Sequence, residues 1–567
     1  MKKLLYLVVA VLFAIVPLVG CNSAAPAASN TPAAPTVATS AEPTQPATED
    51  GPYTKYDPEI NLSYALAAGL DPKFPEGQDY DHNIWLDEYK ADLGINAKYI
   101  WMASGLEQYE TKLNLAIASN ELPDIISCTN QGQMARLVEA GLVADLTDLY
   151  DKYASPLVKK AFEVDNGLAL SQTTVEGKMW ALPIGPTVMG NLEYTYIRED
   201  WRLKLNLPEP KTTEDLMAMA EAFTKQDPDG NGKDDTYGIV IGNQPYENYM
   251  NFRGYANSFG AYPTCWILKD GKLAYGSVQP EMKEALKALN QLYNNGAIDK
   301  EFVAKNAYAA SSDAVAGKGG ICFGQFWLIT WPLPDTNTAD ATHYWKPYPI
   351  LNTAAGTALK GTMGQTRVTD AYMVRKDYEH PEALFKLFNH YADRLYGDKF
   401  NADKYHTDPV TKNGIFMLSP FRAQAAGNVN VGQNLAVTKA IDNKDETALV
   451  TPEQKATYTT VKEYIDGKTD TPHLTSYLLF YGAGSTFGIE NAAITSGNYT
   501  RDMFYGADTP EMLRRMSILR SQEEAMILDI IAGNKPVDYF DEFVKNWNAL
   551  GGETITFEVN QWYDKVK

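Results

Sequence analysis

Positive charge is what this chain lacks most: 50 Lys and Arg stand against 71 Asp and Glu, a formal charge of −21. A duplex-binding surface needs clustered Lys and Arg to neutralise phosphates, so nucleic acid is excluded as a partner. Cysteine is scarce, four in 567 residues. Past Cys21 only Cys128, Cys265 and Cys322 remain, an odd number far apart, two of them in apolar runs. They read as buried thiols and give no disulfide framework. Histidine is rarer than its chemistry would need: His82, His343, His380, His390, His406 and His473 form no His-Glu-x-x-His and no Cys/His cluster. Neither a Gly-x-Ser-x-Gly elbow nor a phosphate loop ending Gly-Lys-Ser/Thr occurs. Gly482-Ala483-Gly484-Ser485 is glycine-rich but wrongly spaced for a dinucleotide, and reads as a turn. After residue 20 no run of roughly 18 or more uncharged apolar residues is left, which excludes a polytopic membrane protein. What is present is ample core material, 45% hydrophobic and 11% aromatic, and a length that suits two to four domains.

The chain opens Met1-Lys2-Lys3 and continues apolar from Leu4 to Val19, the pattern of a secretory signal over residues 1–20. That run ends Leu18-Val19-Gly20-Cys21, which resembles the lipobox of bacterial lipoproteins. The resemblance implies that Cys21 carries the lipid and becomes the mature N-terminus, with the anchor in the membrane and the protein on its extracellular face. Residues 21–52, rich in Ala, Pro, Thr and Ser, read as a semi-extended spacer.

Beyond the spacer, short apolar runs alternate with longer amphipathic patterns, which predicts an α/β fold. Strands are expected at 95–102, 122–126, 178–184, 193–198 and 320–329. Helices are expected at 106–119, 131–140, 212–226, 280–295, 381–392 and 509–533. Several phrases occur in an order that carries a family resemblance: Asn120-Glu121-Leu122-Pro123-Asp124-Ile125-Ile126, then Glu176-Gly177-Lys178-Met179-Trp180-Ala181-Leu182-Pro183, then Tyr196-Ile197-Arg198-Glu199-Asp200-Trp201. The tail adds Phe504-Tyr505-Gly506-Ala507-Asp508-Thr509-Pro510, Phe540-Asp541-Glu542-Phe543 and Gly551-Gly552-Glu553. Over most of residues 57–567 the chain resembles the extracellular solute-binding proteins of carbohydrate ABC transporters, within them the large lipoproteins of Gram-positive bacteria. The resemblance implies a two-lobed periplasmic-binding-protein-like fold of type II, its lobes joined by crossing hinge segments. It places 53–184 with about 351–445 in the N-terminal lobe, and 185–350 with about 446–567 in the C-terminal lobe. It further implies a monomer that binds an oligosaccharide between its lobes and delivers it to ABC permease subunits.

Residues 227–238 read Asp-Pro-Asp-Gly-Asn-Gly-Lys-Asp-Asp-Thr-Tyr-Gly. Side-chain oxygens fall at loop positions one, three, five and nine (Asp227, Asp229, Asn231, Asp235), and Lys233 at position seven offers its carbonyl. That is the ligand spacing of a calcium loop, and clustered carboxylates are relieved by a dication. The position-twelve Glu of an EF-hand is replaced by Gly238; the acidic tenth residue of the related alginate-binding proteins is replaced by Thr236. The expected cofactor is structural Ca²⁺.

Sugars present apolar C–H faces to aromatic rings and hydroxyls to planar amides. The ligand-binding candidates are Trp327 and Gln325 after the 320–323 run, Asn130 and Gln131 after Ser127, and Trp101, Trp180 and Trp266. Arg253 and Arg367 suit either a uronate carboxylate or an ordinary ion pair. Two further classes remain: a surface-anchored glycan-degrading enzyme, whose two carboxylates could hide among 71, and a binder of peptides or another solute on the same fold.

Overall fold

In the computed structural model, which describes residues 50–68, 74–186, 192–338, 342–352, 361–362, 367–368, 370–408, 410–411, 414–424 and 429–567, the motif Leu122-Pro123-Asp124 joins three strands. The Asp124 carboxylate accepts the Ser63 amide (2.8 Å) and hydroxyl (2.7 Å) from the strand Ile60–Ala68. Its other oxygen takes the Arg375 guanidinium at 2.6 Å, just past the strand Ala371–Val374. The strand Ile125–Cys128 then runs on, with Ile125, Ile126 and Cys128 buried.

Around that corner the first lobe forms. Strands Ile60–Ala68 and Ile95–Ser104 pair in parallel, linked by the helix Ile84–Leu93, which Asn83 caps. The helix stops at Gly94, where φ is 67° and a Cβ would lie 2.4 Å from the Tyr56 carbonyl, so only glycine fits. A three-stranded sheet follows in the order Ile125–Cys128, Ala371–Val374, Leu182–Pro183, all antiparallel. The second lobe is built on four strands ordered Trp345–Tyr348, Tyr194–Arg198, Gly319–Gly324, Tyr237–Ile239. The last two run parallel, so their C-terminal ends point to the same edge of the sheet. The helix Thr213–Lys225 begins at a capping box of Thr212 and Asp215.

The expected elements form, with three differences. The strand expected at 122–126 begins only at Ile125 and runs to Cys128. The apolar run 320–329 is strand only to Gly324 and then a 3₁₀ turn, Phe326–Ile329. The Gln325 amide is taken by the Asn248 carbonyl, which steers the chain off the sheet. Residues 178–184 form two short strands, because the Trp180 amide bonds back to Thr173.

Buried side chains separate into a first-lobe core, Leu62 to Leu182 plus Val368 to Ala423, and second-lobe clusters drawn from Leu192 to Leu351 and Val437 to Val559. Leu351 packs with the second-lobe cluster, and Val437 and Ala440 pack against Leu449 and Val461. Cys128, Cys265 and Cys322 are free and buried. The signal segment, Cys21 and nearly all the 21–52 spacer lie outside the described residues, and no helix among the described residues is long and apolar enough to cross a membrane.

Candidate ligand cleft and calcium loop

Each lobe gathers polar and aromatic groups at the C-terminal ends of its strands. In open α/β sheets that edge is where ligands bind, since loops and helix N-termini converge there. In the first lobe a cavity of about 550 Å³ is lined by Ala68, Gly105, Ser127, Thr129, Asp370 and Arg422, among others. The Gly105–Ser119 helix starts at this cavity, its positive end turned to it. Tyr109 donates to the Ser127 carbonyl at 2.9 Å. The Tyr372 hydroxyl accepts the Arg422 amide at 2.9 Å, which sets Arg422 beside the opening.

In the second lobe the Tyr196 hydroxyl donates to the Gln325 carbonyl at 3.0 Å. The Gln325 amide donates to Asn248 Oδ1 (3.2 Å) and its oxygen accepts the Trp327 indole N–H (3.1 Å). Trp327 is half-buried, with Tyr249 edge-on at 5.3 Å. So Gln325 and Trp327 stand together, an oriented indole face beside a planar amide. Tyr249 and Trp331 belong to the same group and were not singled out in the sequence; a second Trp four residues after Trp327 is the local signal that marks them.

The other candidates disperse. Asn130 caps the helix Gln131–Glu139 through its side chain. Gln131 bonds Gln172 (3.1 Å) and reaches the Tyr505 carbonyl (3.5 Å). With Trp180 it lines a second cavity of about 470 Å³, which Tyr505 and Trp562 of the second lobe complete. Trp101 lies against Tyr109, ring centres 5.2 Å apart, outside both cavities. Trp266 is corrected: it lies in the strand Trp266–Lys269 rather than a loop, is 2% exposed, and packs on Tyr275 and Phe504 in the core. Arg253 pairs with buried Glu193 (3.2 Å) and Arg367 with Asp508 (2.9 Å), so both guanidinium groups already have carboxylate partners.

The 227–235 segment wraps as a loop before the strand Tyr237–Ile239. The Asp227 carboxylate, on a residue with φ 45°, accepts the amides of Gly230, Asn231 and Gly232 at 3.0–3.1 Å. The Asn231 side-chain nitrogen bonds Asp229 (2.7 Å) and Asp235 (3.1 Å), so two carboxylates converge on one point. A hydrogen bond with Asp229, then the loop amides, holds Asp227 below the usual carboxylate range. Desolvation first, then hydrogen bonding to Asp227, pushes Asp229 above it. An all-oxygen donor set with two converging carboxylates fits a hard cation. A Glu at position twelve does not fit: a Cβ on Gly238 would lie 2.5 Å from the Ala220 carbonyl. Thr236 is turned away, donating to the Phe223 carbonyl. Elsewhere among the described residues Glu88, Asp92 and His390 come within reach of one ion. Arg394 and Lys404 already pair with those carboxylates, and burial holds His390 neutral with its pKa lowered to about 2.

Comparison with known proteins agrees with this architecture. The chain is 28% identical over 264 residues to Lipoprotein LipO of Bacillus subtilis strain 168, covering 45% of this chain and 48% of LipO. It is 29% identical to the polygalacturonan/rhamnogalacturonan-binding protein YtcQ of the same organism, covering 38% and 41%. It is 28% identical to the fructooligosaccharide ABC transporter substrate-binding protein FusA of Streptococcus pneumoniae serotype 4, covering 41% and 43%. The matches therefore span about half or less of each curated relative. Among solved structures, the alginate-binding protein AlgQ2 without calcium ion superposes with a TM-score of 0.60 at 18% identity, over 91% of this chain and all of that one. An EF-hand mutant of S. pneumoniae FusA in complex with fructo-nystose gives 0.57 at 18% identity, over 89% and 99%. These likenesses establish the fold as that of two-lobed solute-binding proteins. The family described as bacterial extracellular solute-binding protein matches residues 72–394, more than half of the sequence, and the chain belongs to that family.

Proposed function

We propose that this protein captures an extracellular oligosaccharide between its lobes and hands it to an ABC permease. The observation that carries the reading is the Gln325–Trp327 pair at the strand ends of the second lobe. An indole face that is half-exposed and fixed through its own N–H suits the apolar face of a pyranose or furanose ring, and the amide beside it suits hydroxyls. The first-lobe cavity supplies a second wall with Ser127, Thr129, Asp370 and Arg422. A ligand that touches both walls only when the lobes approach stabilises the closed arrangement, which is the state a permease can distinguish. The work is binding and closure, without covalent chemistry. YtcQ and FusA, whose names specify glycans, and the protein's place in a solute-binding family support it.

Cys21 is the anchor in this reading, holding the body to the outer face of the membrane through the 21–52 spacer. Asp227, Asp229, Asn231, Asp235 and the Lys233 carbonyl would hold Ca²⁺, which neutralises the clustered carboxylates and stiffens the loop. AlgQ2, described without its calcium ion, and a FusA variant described as an EF-hand mutant are in keeping with that.

The test is a thermal-shift screen of the mature protein with oligogalacturonides and inulin-type fructo-oligosaccharides. Ligand at about a hundred times its Kd adds roughly 2.7 kcal/mol. The glycan should be recovered intact by mass spectrometry; cleavage products would replace the receptor reading with an enzyme. Trp327→Ala is expected to lower affinity about tenfold or more, and Trp327→Phe to keep most of it. Unchanged affinity in Trp327→Ala would remove the indole from the site.

A further inference from the structure

Two aromatic rings continue outward from the Gln325–Trp327 pair, with a third behind them. Trp331 lies with its ring centre 6.1 Å from Trp327 and 24° between planes. Tyr308 lies 6.5 Å beyond Trp331, at 26°. Exposure rises along the row: Trp327 is half-buried, Trp331 is 44% exposed and Tyr308 63%. Tyr249 stands edge-on behind it, 5.3 Å from Trp327 and 5.8 Å from Trp331, both at 61°.

The row is placed by the sheet. Strands Tyr237–Ile239 and Gly319–Gly324 run parallel, so their C-terminal ends lie at one edge of the sheet. From the first, the chain runs to Gly242, where a Cβ would lie 3.0 Å from the backbone at Asn306 and Ala307. The Asn243 amide bonds the Lys305 carbonyl (2.7 Å), and Asn306 caps the helix Ala307–Val315 that carries Tyr308 in its first turn. From the second strand, the turn Phe326–Ile329 presents Trp327. The Trp331 amide then bonds the Trp327 carbonyl at 2.9 Å and holds the second indole in place. Rings anchored to two different strand ends thus form one edge, continuous with the amide–indole pair.

Trp327 and Tyr249 pack against the core, whereas Trp331 and Tyr308 stand exposed beyond it, and exposed aromatic patches mark binding surfaces. We propose that Trp331 and Tyr308 form a distal subsite that takes further glycosyl units of the same oligosaccharide, beyond the unit on Trp327. This rests on the sugar-binding reading above. Its consequence is selectivity for chain length: short glycans end at Trp327, and longer ones gain contacts with Trp331 and Tyr308.

The experiment is titration calorimetry with size-resolved oligogalacturonides and inulin-type fructo-oligosaccharides, from disaccharide to octasaccharide, on the wild type, Trp331→Ala, Trp331→Phe and Tyr308→Ala. In the wild type, affinity should rise with length. Trp331→Ala and Tyr308→Ala should flatten that rise, losing about tenfold for the longest glycans and little for the shortest, while Trp331→Phe keeps it. Tyr308 is exposed, so its variant separates the subsite from any folding effect at Trp331. Equal losses at every length, or no loss in either alanine variant with wild-type binding intact, would overturn the subsite and leave the sugar reading standing. A wild type that binds no glycan of either series would overturn both.

Discussion

Glu490 is a buried carboxyl that accepts the Tyr194 hydroxyl at 2.9 Å. Burial lifts its pKa from 4.5 to about 7. Below about pH 4.5 it carries a proton in both folded and unfolded chains and has no linked effect. Between 4.5 and 7 the unfolded chain releases the proton first, so stability falls as pH rises, and above 7 the full penalty persists. Glu490→Gln keeps the shape and the Tyr194 bond without the charge. It is expected to add about 2 kcal/mol at pH 8 and almost nothing at pH 4, measured by denaturant unfolding. Equal effects at both pH values would rule out the ionisation account. Nothing in the local sequence around Glu490 announces this, because its environment comes from Tyr194, almost three hundred residues earlier. The same distance effect explains the dispersal of the tryptophan candidates. Trp266 follows Gly260-Ala261-Tyr262-Pro263 and reads as a loop residue, yet Tyr275 and Phe504 bury it. Gln325 and Trp327 were legible because they sit two residues apart and bond one another.

Among the elements, the 227–235 loop was readable at sequence level, since all its candidate ligands lie within nine residues. Its location was not. It leads into the N-terminal end of the strand Tyr237–Ile239, whereas the aromatic row gathers at the C-terminal end of that strand. The loop and the aromatic row are therefore at opposite edges of one sheet, and calcium is expected to affect stability more than ligand contacts. EDTA should lower the melting temperature by a few degrees, about 2–4 °C for each kcal/mol lost. Calcium should restore it in the wild type and not in Asp227→Ala. Glycan affinity at saturating calcium should match between the two proteins. A melting temperature indifferent to chelator, with no metal copurified, would dismiss the ion. The 320–329 run shows the opposite limit of local reading. Its apolar character predicted a strand throughout, but the Asn248 carbonyl, from a different segment, captures the Gln325 amide and turns the chain. That turn puts Trp327 at the sheet edge.

At the scale of the molecule, family phrases spread along the chain made the two-lobed fold legible. What joins the lobes near the second cavity is slight. Gln131 reaches the Tyr505 carbonyl only at 3.5 Å. The Arg367–Asp508 pair is partly exposed and contributes about 0–1 kcal/mol. A cavity of about 470 Å³ separates Trp180 from Tyr505 and Trp562. Two large cores that meet there through such weak contacts should unfold with imperfect cooperativity. Without ligand, the calorimetric enthalpy of the calcium-loaded protein is expected to exceed the van't Hoff enthalpy. A glycan held by both lobes stabilises each only while the other is folded, so at about a hundred times its Kd it should add roughly 2.7 kcal/mol and bring the two enthalpies together. If ligand raises the melting temperature yet leaves the enthalpies apart, the glycan binds one lobe alone and closure is not the mechanism. If they are equal without ligand, the lobes are coupled through the crossing segments themselves, and the weak contacts at the second cavity have no bearing on how the protein opens.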